Sequence, residues 1–246
     1  MAIKKRPVSP RQKMINLMYV VLMAMLALKV SNEVLNGFSI VEKSLNRTTQ
    51  NSTLENLALY DEFAVQMKAN PQKTKEWYDK SRDVKKMSDS LYNLIADLKR
   101  AIVIEADGSD GDVDNIRNKE DLEAANQVML APGRGRGKEL YDEITAYRNK
   151  MLQMVTNYRQ KKTIASNLST DLPDNAQTMG KNWQEYMFEA MTAAAAVTLL
   201  SKLQSDVRYA EGEVLHTLVQ NIDVKDVRVN LLDAFSIKES NPSSPS

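Results

Sequence analysis

Hydrophobic residues recur along most of this chain at the three- and four-residue spacing of amphipathic helices. One early stretch departs from that spacing: residues 14–30, MINLMYVVLMAMLALKV, contain one internal polar residue, Asn16, and one charge near the far end, Lys29. A helix rises about 1.5 Å per residue, so this run and its helical flanks are long enough to cross a bilayer. The pattern therefore predicts a transmembrane helix at residues 13–35.

Beyond this stretch the spacing predicts four amphipathic helices, at residues 31–67, 73–104, 138–160 and 182–221. Asn70 and Pro71 form a stop signal between the first two. The last helix carries a seam with many small residues, which allows a neighbouring helix to approach closely. From residue 223 the valine-rich sequence predicts a strand or an extended link, and residues 240–246, SNPSSPS, predict a disordered tail.

The charges before the apolar run predict its orientation. Five basic residues and no acidic residue precede it, which by the positive-inside rule keeps the N-terminus in the cytoplasm; they are Lys4, Lys5, Arg6, Arg11 and Lys13. Residues 1–12 are then a cytoplasmic segment, 36–222 a periplasmic helical domain and 223–246 a linker or tail. Two other interpretations of the apolar run are a cleaved signal peptide and a buried helix of a soluble domain.

Three residues near the cytoplasmic mouth of the predicted span are candidates for partner contacts: Arg11, Asn16 and Tyr19. Pro10 fits a first helical turn, which places Arg11 inside the helix and near the hydrocarbon. An arginine at that depth either extends to lipid phosphates or pairs with a carboxylate on another membrane helix. Asn16 and Tyr19 are weaker candidates, since polar groups there also bond to backbone or lipid.

Residues 9–38, SPRQKMINLMYVVLMAMLALKVSNEVLNGF, closely resemble the N-terminus of the GldM (PorM) family, inner-membrane proteins of Bacteroidota gliding motility and type IX secretion. The order PRQKMINLMY, AMLAL and VLNGF carries the resemblance, and weaker similarity continues over most of the chain. Proteins of this family have further β-rich periplasmic domains after the helical one. The resemblance therefore covers the N-terminal part of such a protein.

The resemblance implies a function in a motor driven by the proton-motive force. Two GldM helices are expected inside a ring of GldL (PorL) subunits, and the homodimer is expected to turn and to pass work to outer-membrane components through its periplasmic shaft. By match to the family motif, Arg11 is the arginine that pairs with an intramembrane glutamate of GldL. Protonation of that glutamate would break the pair.

Composition narrows the other possibilities. With 33 basic and 32 acidic residues the net charge is +1, which gives no reason to expect nucleic acid as a partner. The eight glycines and seven prolines favour an all-α fold, and the absence of cysteine excludes disulfides and thiolate metal sites. We predict one membrane helix followed by an antiparallel, four-helix-bundle-like periplasmic domain.

No catalytic or cofactor-binding constellation is recognisable. His216 is the only histidine, and PGRGRGK at residues 132–138 lacks the residues of a phosphate-binding loop. Asp110, Asp112 and Asp114 have calcium-loop spacing, but the glycine and glutamate that such a loop requires are missing, so a mobile acidic loop is the alternative. We predict no enzyme, cofactor or metal. A membrane-anchored helical sensor is the alternative function.

Overall fold

The fold of the described chain is built from helices. The structure, a computed structural model, describes residues 11–12, 14–20, 32–173 and 180–239, with side-chain environments up to residue 222. Within these residues every regular element is a helix, which confirms the all-α prediction. The seven helices after the first segment are α1 (Asn32–Ala69), α2 (Pro71–Asp107), α3 (Ala124–Leu130), α4 (Gly137–Met154), α5 (Tyr158–Asn167), α6 (Trp183–Phe188) and α7 (Ala193–Glu239).

The predicted transmembrane helix remains a prediction. Residues 14–20 are helical and exposed, but residues 13 and 21–31, which supply most of the predicted span, lie outside the described residues. Among the residues that the structure does describe, none of the helices is both long enough and apolar enough to cross a membrane.

A single residue separates the two N-terminal long helices. The side chain of Asn70 accepts a hydrogen bond from the backbone N–H of Lys73 at 3.3 Å, and Pro71 occupies the first position of α2. The asparagine side chain caps one free backbone N–H of the first turn, and a proline at the first position has no N–H to pair. The predicted stop at Asn70 and Pro71 is therefore confirmed, and α1 and α2 form an antiparallel hairpin.

Helix α7 packs against both arms of this hairpin. It runs parallel to α1, because Thr198 donates to the carbonyl of Phe38 near the start of both helices, while Asn56 donates to the carbonyl of Arg208 further along. The prediction of an antiparallel bundle is therefore wrong for this pair. The chain returns to the beginning of α1 through the helices α3 to α6, and this return makes a parallel pair possible.

Helix α4 is the fourth helix of the packing and rests against α2 and α7. Of the seven inward residues predicted for the third helix, five are buried and Met154 is half-buried; the five are Leu140, Ile144, Tyr147, Met151 and Val155. The prediction is wrong for Tyr158, which starts α5 and is 76% exposed. The core that the five buried residues share extends over α2 and α7, with Ile95, Leu98, Ile102, Val197, Leu200 and Val207 fully buried. Burial of this many aliphatic side chains supplies the main stabilisation of the domain.

Three boundaries differ from the predictions. The third predicted helix, at residues 138–160, ends at Met154 instead, and Asn157 caps a new helix, α5, which starts inside that predicted helix and continues into residues 163–180, a segment whose sequence predicts a connector with at most one turn of helix. The fourth predicted helix is interrupted between α6 and α7, where Ala190 has φ 54°. Helix α7 then continues to Glu239, so the predicted strand or extended link from residue 223 is wrong. The short helix α3 was not predicted.

The acidic segment after α2 is held in place by Arg117. Its guanidinium donates to both carboxylate oxygens of Asp110, at 2.8 and 3.1 Å, while the backbone amides of Arg117 and Asn118 donate to the carboxylate of Asp107, each at 2.8 Å. The hydrogen bond from Arg117 lowers the pKa of the Asp110 carboxyl. Two carboxylates of this acidic segment are therefore bonded to protein donors.

Candidate functional site

A row of polar side chains is buried where α1 meets α2 and α7. Five buried residues of α1 recur at intervals of seven, and the three in the middle are polar; the five are Leu35, Glu42, Thr49, Asn56 and Phe63. Residues seven apart lie on the same side of a helix. We call Glu42, Asn56 and the residues of α2 and α7 that they contact the polar seam. It links the three long helices.

The first part of the polar seam is a buried ion pair. Glu42 and Lys99 are 7% and 6% exposed, and the Lys99 Nζ lies 3.4 Å from Glu42 Oε1. Gln204 accepts from the same ammonium group at 3.4 Å, and Ser201 donates to Glu42 Oε1 at 3.3 Å. Burial lowers the pKa of the Lys99 ammonium group, and Glu42 offsets part of this effect. One carboxylate thus connects α1, α2 and α7.

The second part of the polar seam is centred on Glu211, whose side chain is 1% exposed. Its carboxylate accepts hydrogen bonds from Tyr60 Oη at 2.6 Å, from Asn56 Nδ2 at 3.1 Å and from Arg208 Nη1 at 2.8 Å. Buried charges are tolerated when they are paired and hydrogen-bonded. Glu211 meets that condition with two donors from α1 and one from its own helix.

Arg208 extends this cluster to α2. Its Nη1 atom lies 2.9 Å from Asp89 Oδ1, and its guanidinium carbon lies 4.4 Å from the centre of the Tyr92 ring. Burial lowers the pKa of the guanidinium, but the carboxylates of Glu211 and Asp89 raise it by more, and the net shift is upward. Arg208 therefore stays charged and joins α7 to α2.

Two tyrosines beside the polar seam, Tyr60 of α1 and Tyr147 of α4, stay neutral at ordinary pH. Burial, and then the charge of Glu211, raise the pKa of the Tyr60 phenol. Tyr147 of α4 is also buried; burial raises its pKa, while its hydrogen bond with Ser88 at 2.8 Å lowers it in part. Its hydroxyl also lies 3.2 Å from the carbonyl oxygen of Val207. These phenols act as hydrogen-bonding groups between helices.

Gly212 allows α1 and α7 to approach closely at the seam. A Cβ atom built on Gly212 would lie 2.7 Å from Oδ1 of Asn56, closer than real Cβ contacts. Asn56 cannot easily move, since its amide nitrogen donates to Arg208 O and to Glu211. Glycine within a helix costs about 1 kcal/mol relative to alanine. The close contact with Asn56 explains a glycine at this position.

Replacing Gly212 by Ala is expected to lower the free energy of unfolding by about 1–2 kcal/mol, because the clash with Asn56 outweighs the gain in helix propensity. Urea unfolding of the full chain in detergent, followed by circular dichroism, measures this change. In an Asn56→Ala background the clash is absent, so Gly212→Ala should raise stability there. The same sign in both backgrounds would contradict the close-contact explanation.

The polar seam holds helices together. Its hydrogen-bonding groups are engaged with one another, apart from Arg208 Nε, which is buried without a partner. Within the described residues there is no group of three or more His, Cys, Asp or Glu side chains that could hold a metal ion. His216 is exposed on α7. The seam fixes α7 on the α1–α2 hairpin.

The residues predicted for partner contacts lie apart from this seam. Arg11, Asn16 and Tyr19 belong to helical segments and are exposed, and Tyr19 is 65% exposed. Their predicted pairing within a membrane stays a prediction. Sequence reasoning missed Glu42, Asn56 and Glu211. The heptad recurrence of polar residues between Leu35 and Phe63 was the signal that could have revealed the first two.

The chain was compared with known families and proteins. A family model, the GldM N-terminal domain, matches residues 33–221. A comparison with curated proteins finds no match. The family match spans more than half of the chain and covers α1 to α6 and most of α7, including every residue of the polar seam. The chain therefore belongs to the GldM family, which acts in gliding motility and type IX secretion.

Proposed function

We propose that this protein is a subunit of an inner-membrane motor driven by the proton-motive force, which powers type IX secretion and gliding. Two copies turn inside a ring of GldL-type subunits and transmit work across the periplasm. The single observation that carries the proposal is the GldM N-terminal domain match over residues 33–221. The resemblance of residues 9–38 to the same family supports it independently.

The packing of the long helices supports a mechanical role. Helix α1 begins at the end of the predicted span and has 38 residues, and α7, which has 47 residues and is about 70 Å long at the helical rise, runs parallel to it. The polar seam joins the two helices at Glu42 and at Asn56. Two separated attachment points resist both sliding and rotation of one helix about the other. A rotation of the membrane helix would therefore turn α7 together with α1.

The proton-dependent step is assigned to Arg11 and a partner carboxylate. The predicted span at residues 13–35 contains one acid, Glu33, which lies beyond the apolar core. The titrating carboxylate is therefore expected on the ring subunit. An ionised carboxylate holds the Arg11 guanidinium, and protonation removes the attraction and leaves the arginine to find the next ionised carboxylate. Each exchange shifts the dimer relative to the ring.

The native mass of the full chain, co-expressed with its ring partner and purified in detergent, tests this proposal. We expect one complex that contains two copies of this chain and an excess of the partner. A monomer or a homodimer that retains no partner would contradict the motor assignment. In that case a shift of the unfolding temperature with small ligands would favour a membrane-anchored sensor.

A further inference from the structure

Helix α5 carries basic residues at the end where a helix favours acidic ones. Its first five residues include Arg159, Lys161 and Lys162, and its first turn contains no acidic residue. The N-terminus of a helix bears a partial positive charge, so cations there are unfavourable. The energetics of α5 itself therefore do not explain why these three basic residues are present.

The basic side chains share an exposed side of α5 with a tyrosine. Tyr158 is 76% exposed, and Arg159, Lys161 and Lys162 are exposed as well. Residues three and four apart lie on the same side of a helix. Ile164 points the other way and is fully buried in the core. We call residues 158, 159, 161 and 162 the α5 patch.

No acidic residue of the surrounding sequence compensates this charge. Residues 144–170 contain five basic residues and no acidic residue, in a chain that has 33 basic and 32 acidic residues. Exposed lysines elsewhere on the domain pair with an acid one helical turn away, such as Lys80 with Glu76 and Lys138 with Asp142. The α5 patch therefore departs from the alternating charges found on those helices.

The acid of α7 that lies beside α5 already has another partner. Glu213 accepts a hydrogen bond from the Tyr209 hydroxyl, which also bonds with Thr163 of α5. Among the residues that the structure describes, none of the three cations of the α5 patch forms an ion pair. Their charge is therefore available to a molecule outside this chain.

We infer that the α5 patch is a docking surface for an acidic segment of another protein. Unpaired cations attract carboxylates and steer their approach. Tyrosine and arginine are enriched in protein interfaces, and the ring of Tyr158 adds contact area. Helix α5 has 10 residues and is about 15 Å long, so an extended segment of about five residues spans it. The inference goes beyond the proposed function and requires neither the ring nor the proton-dependent step.

A lipid surface fits the α5 patch less well than a protein does. A helix that binds a bilayer inserts an apolar face among the lipid chains. The large aliphatic residue of α5, Ile164, is buried against the rest of the domain, and α5 packs on α4 and α7. Only the ring of Tyr158 is left to insert. Carboxylates on a protein segment match both the charge and the length of the patch.

Binding of a fluorescein-labelled, glutamate-rich peptide to the full chain in phosphatidylcholine nanodiscs tests the inference. We expect binding that weakens as the salt concentration rises, because exposed charges are screened. A serine-rich peptide of the same length should not bind. Replacing Arg159, Lys161 and Lys162 together by Gln should raise the dissociation constant of the glutamate-rich peptide at least about tenfold.

The matched control removes the same number of charges from paired lysines. Lys80, Lys138 and Lys202 each pair with an acid on their own helix. Replacing these three by Gln should change the dissociation constant less than about twofold, because their charges are already compensated. Both triple variants have the same net charge, so a difference between them reports the position of the cations.

The melting temperature separates loss of binding from loss of the fold. Removing cations from the first turn of α5 should not lower it, since they oppose the helix dipole. Equal weakening in both triple variants, or no binding of the peptide to the unmodified chain, would overturn the inference. Co-sedimentation with phosphatidylglycerol vesicles in place of peptide binding would also overturn it and assign the patch to lipid. None of these outcomes changes the motor assignment, which is tested with the ring subunit.

Discussion

Replacing Glu211 by Leu is expected to lower the free energy of unfolding by about 3–5 kcal/mol, because it leaves buried donors without their acceptor. The lost carboxylate accepts from Tyr60, Asn56 and Arg208. Asp89, whose side chain is 38% exposed, is then the remaining carboxylate that pairs with the Arg208 guanidinium. Urea unfolding of the full chain in detergent, followed by circular dichroism, measures the difference.

The matched control removes an exposed carboxylate from the same domain. Asp142 pairs with Lys138 one helical turn away, and both side chains are more than half exposed. Asp142→Ala should change stability by no more than about 0.5 kcal/mol, as is usual for surface pairs. Glu211→Gln should fall between the two variants, because its amide keeps one acceptor. A cost of Glu211→Leu below about 1 kcal/mol would show that the polar seam does not hold α7 in place.

Replacing Arg11 by Ala is expected to abolish secretion and gliding while the complex with the ring subunits stays assembled. The variant removes the cation that the proposed mechanism exchanges between partner carboxylates, and it leaves the apolar surface of the span unchanged. Secretion and gliding assays in cells, together with the native mass of the complex purified in detergent, measure the two parts of this prediction. Asn16→Ala and Tyr19→Phe should have smaller effects on motion.

Arg47 provides the control for loss of an arginine. It is exposed on α1, outside the predicted span, and Arg47→Ala removes the same charge from the chain. Arg47→Ala should retain secretion and gliding. Wild-type activity of Arg11→Ala would refute the assigned role. Loss of the complex in Arg11→Ala would mean that the arginine serves assembly instead of the proton-dependent step.

Local sequence signals were sufficient to predict the hairpin of α1 and α2 and the buried face of α4. Asn70 and Pro71 define the break between α1 and α2, because a cap and a proline act on their own backbone neighbours. The inward residues of α4, such as Leu140 and Ile144, follow from spacing alone. A three- and four-residue spacing of apolar residues identifies the buried face of a helix without information about the surface that it packs against.

Other boundaries depend on competing local preferences. Val155 is extended, and the Asn157 side chain caps α5. The apolar spacing continues across this break and therefore does not indicate it. From residue 223 the valines suggested a strand, yet Val224, Val227 and Leu231 are three and four residues apart. That spacing is helical, and α7 continues through it. β-Branched residues lower helix propensity only slightly, so the helical spacing outweighs the valine content in this segment.

The start of α7 is fixed by a local cap and by distant residues. The Thr192 hydroxyl accepts a hydrogen bond from the backbone amide of Ala195 at 3.3 Å. The backbone amides of Ala193 and Ala194 donate to the carbonyl oxygens of Asp121 and Lys119, at 2.7 and 3.1 Å. These bonds satisfy the first amides of the helix. No pattern near residue 193 specifies partners some 70 residues earlier in the chain. The break before α7 therefore depends both on the local cap at Thr192 and on the tertiary structure.

The sequence by itself determined the helical class of this protein, the hairpin of α1 and α2, the family resemblance and the candidates Arg11, Asn16 and Tyr19. These depend on composition, spacing and local motifs, which act over a few residues. Only the tertiary structure decided that α7 runs parallel to α1 and that Glu42, Asn56 and Glu211 meet in one seam. Residues more than 150 positions apart are in contact there. The helical period predicts that each of them lies on an inward face, but it does not identify the residue that it contacts.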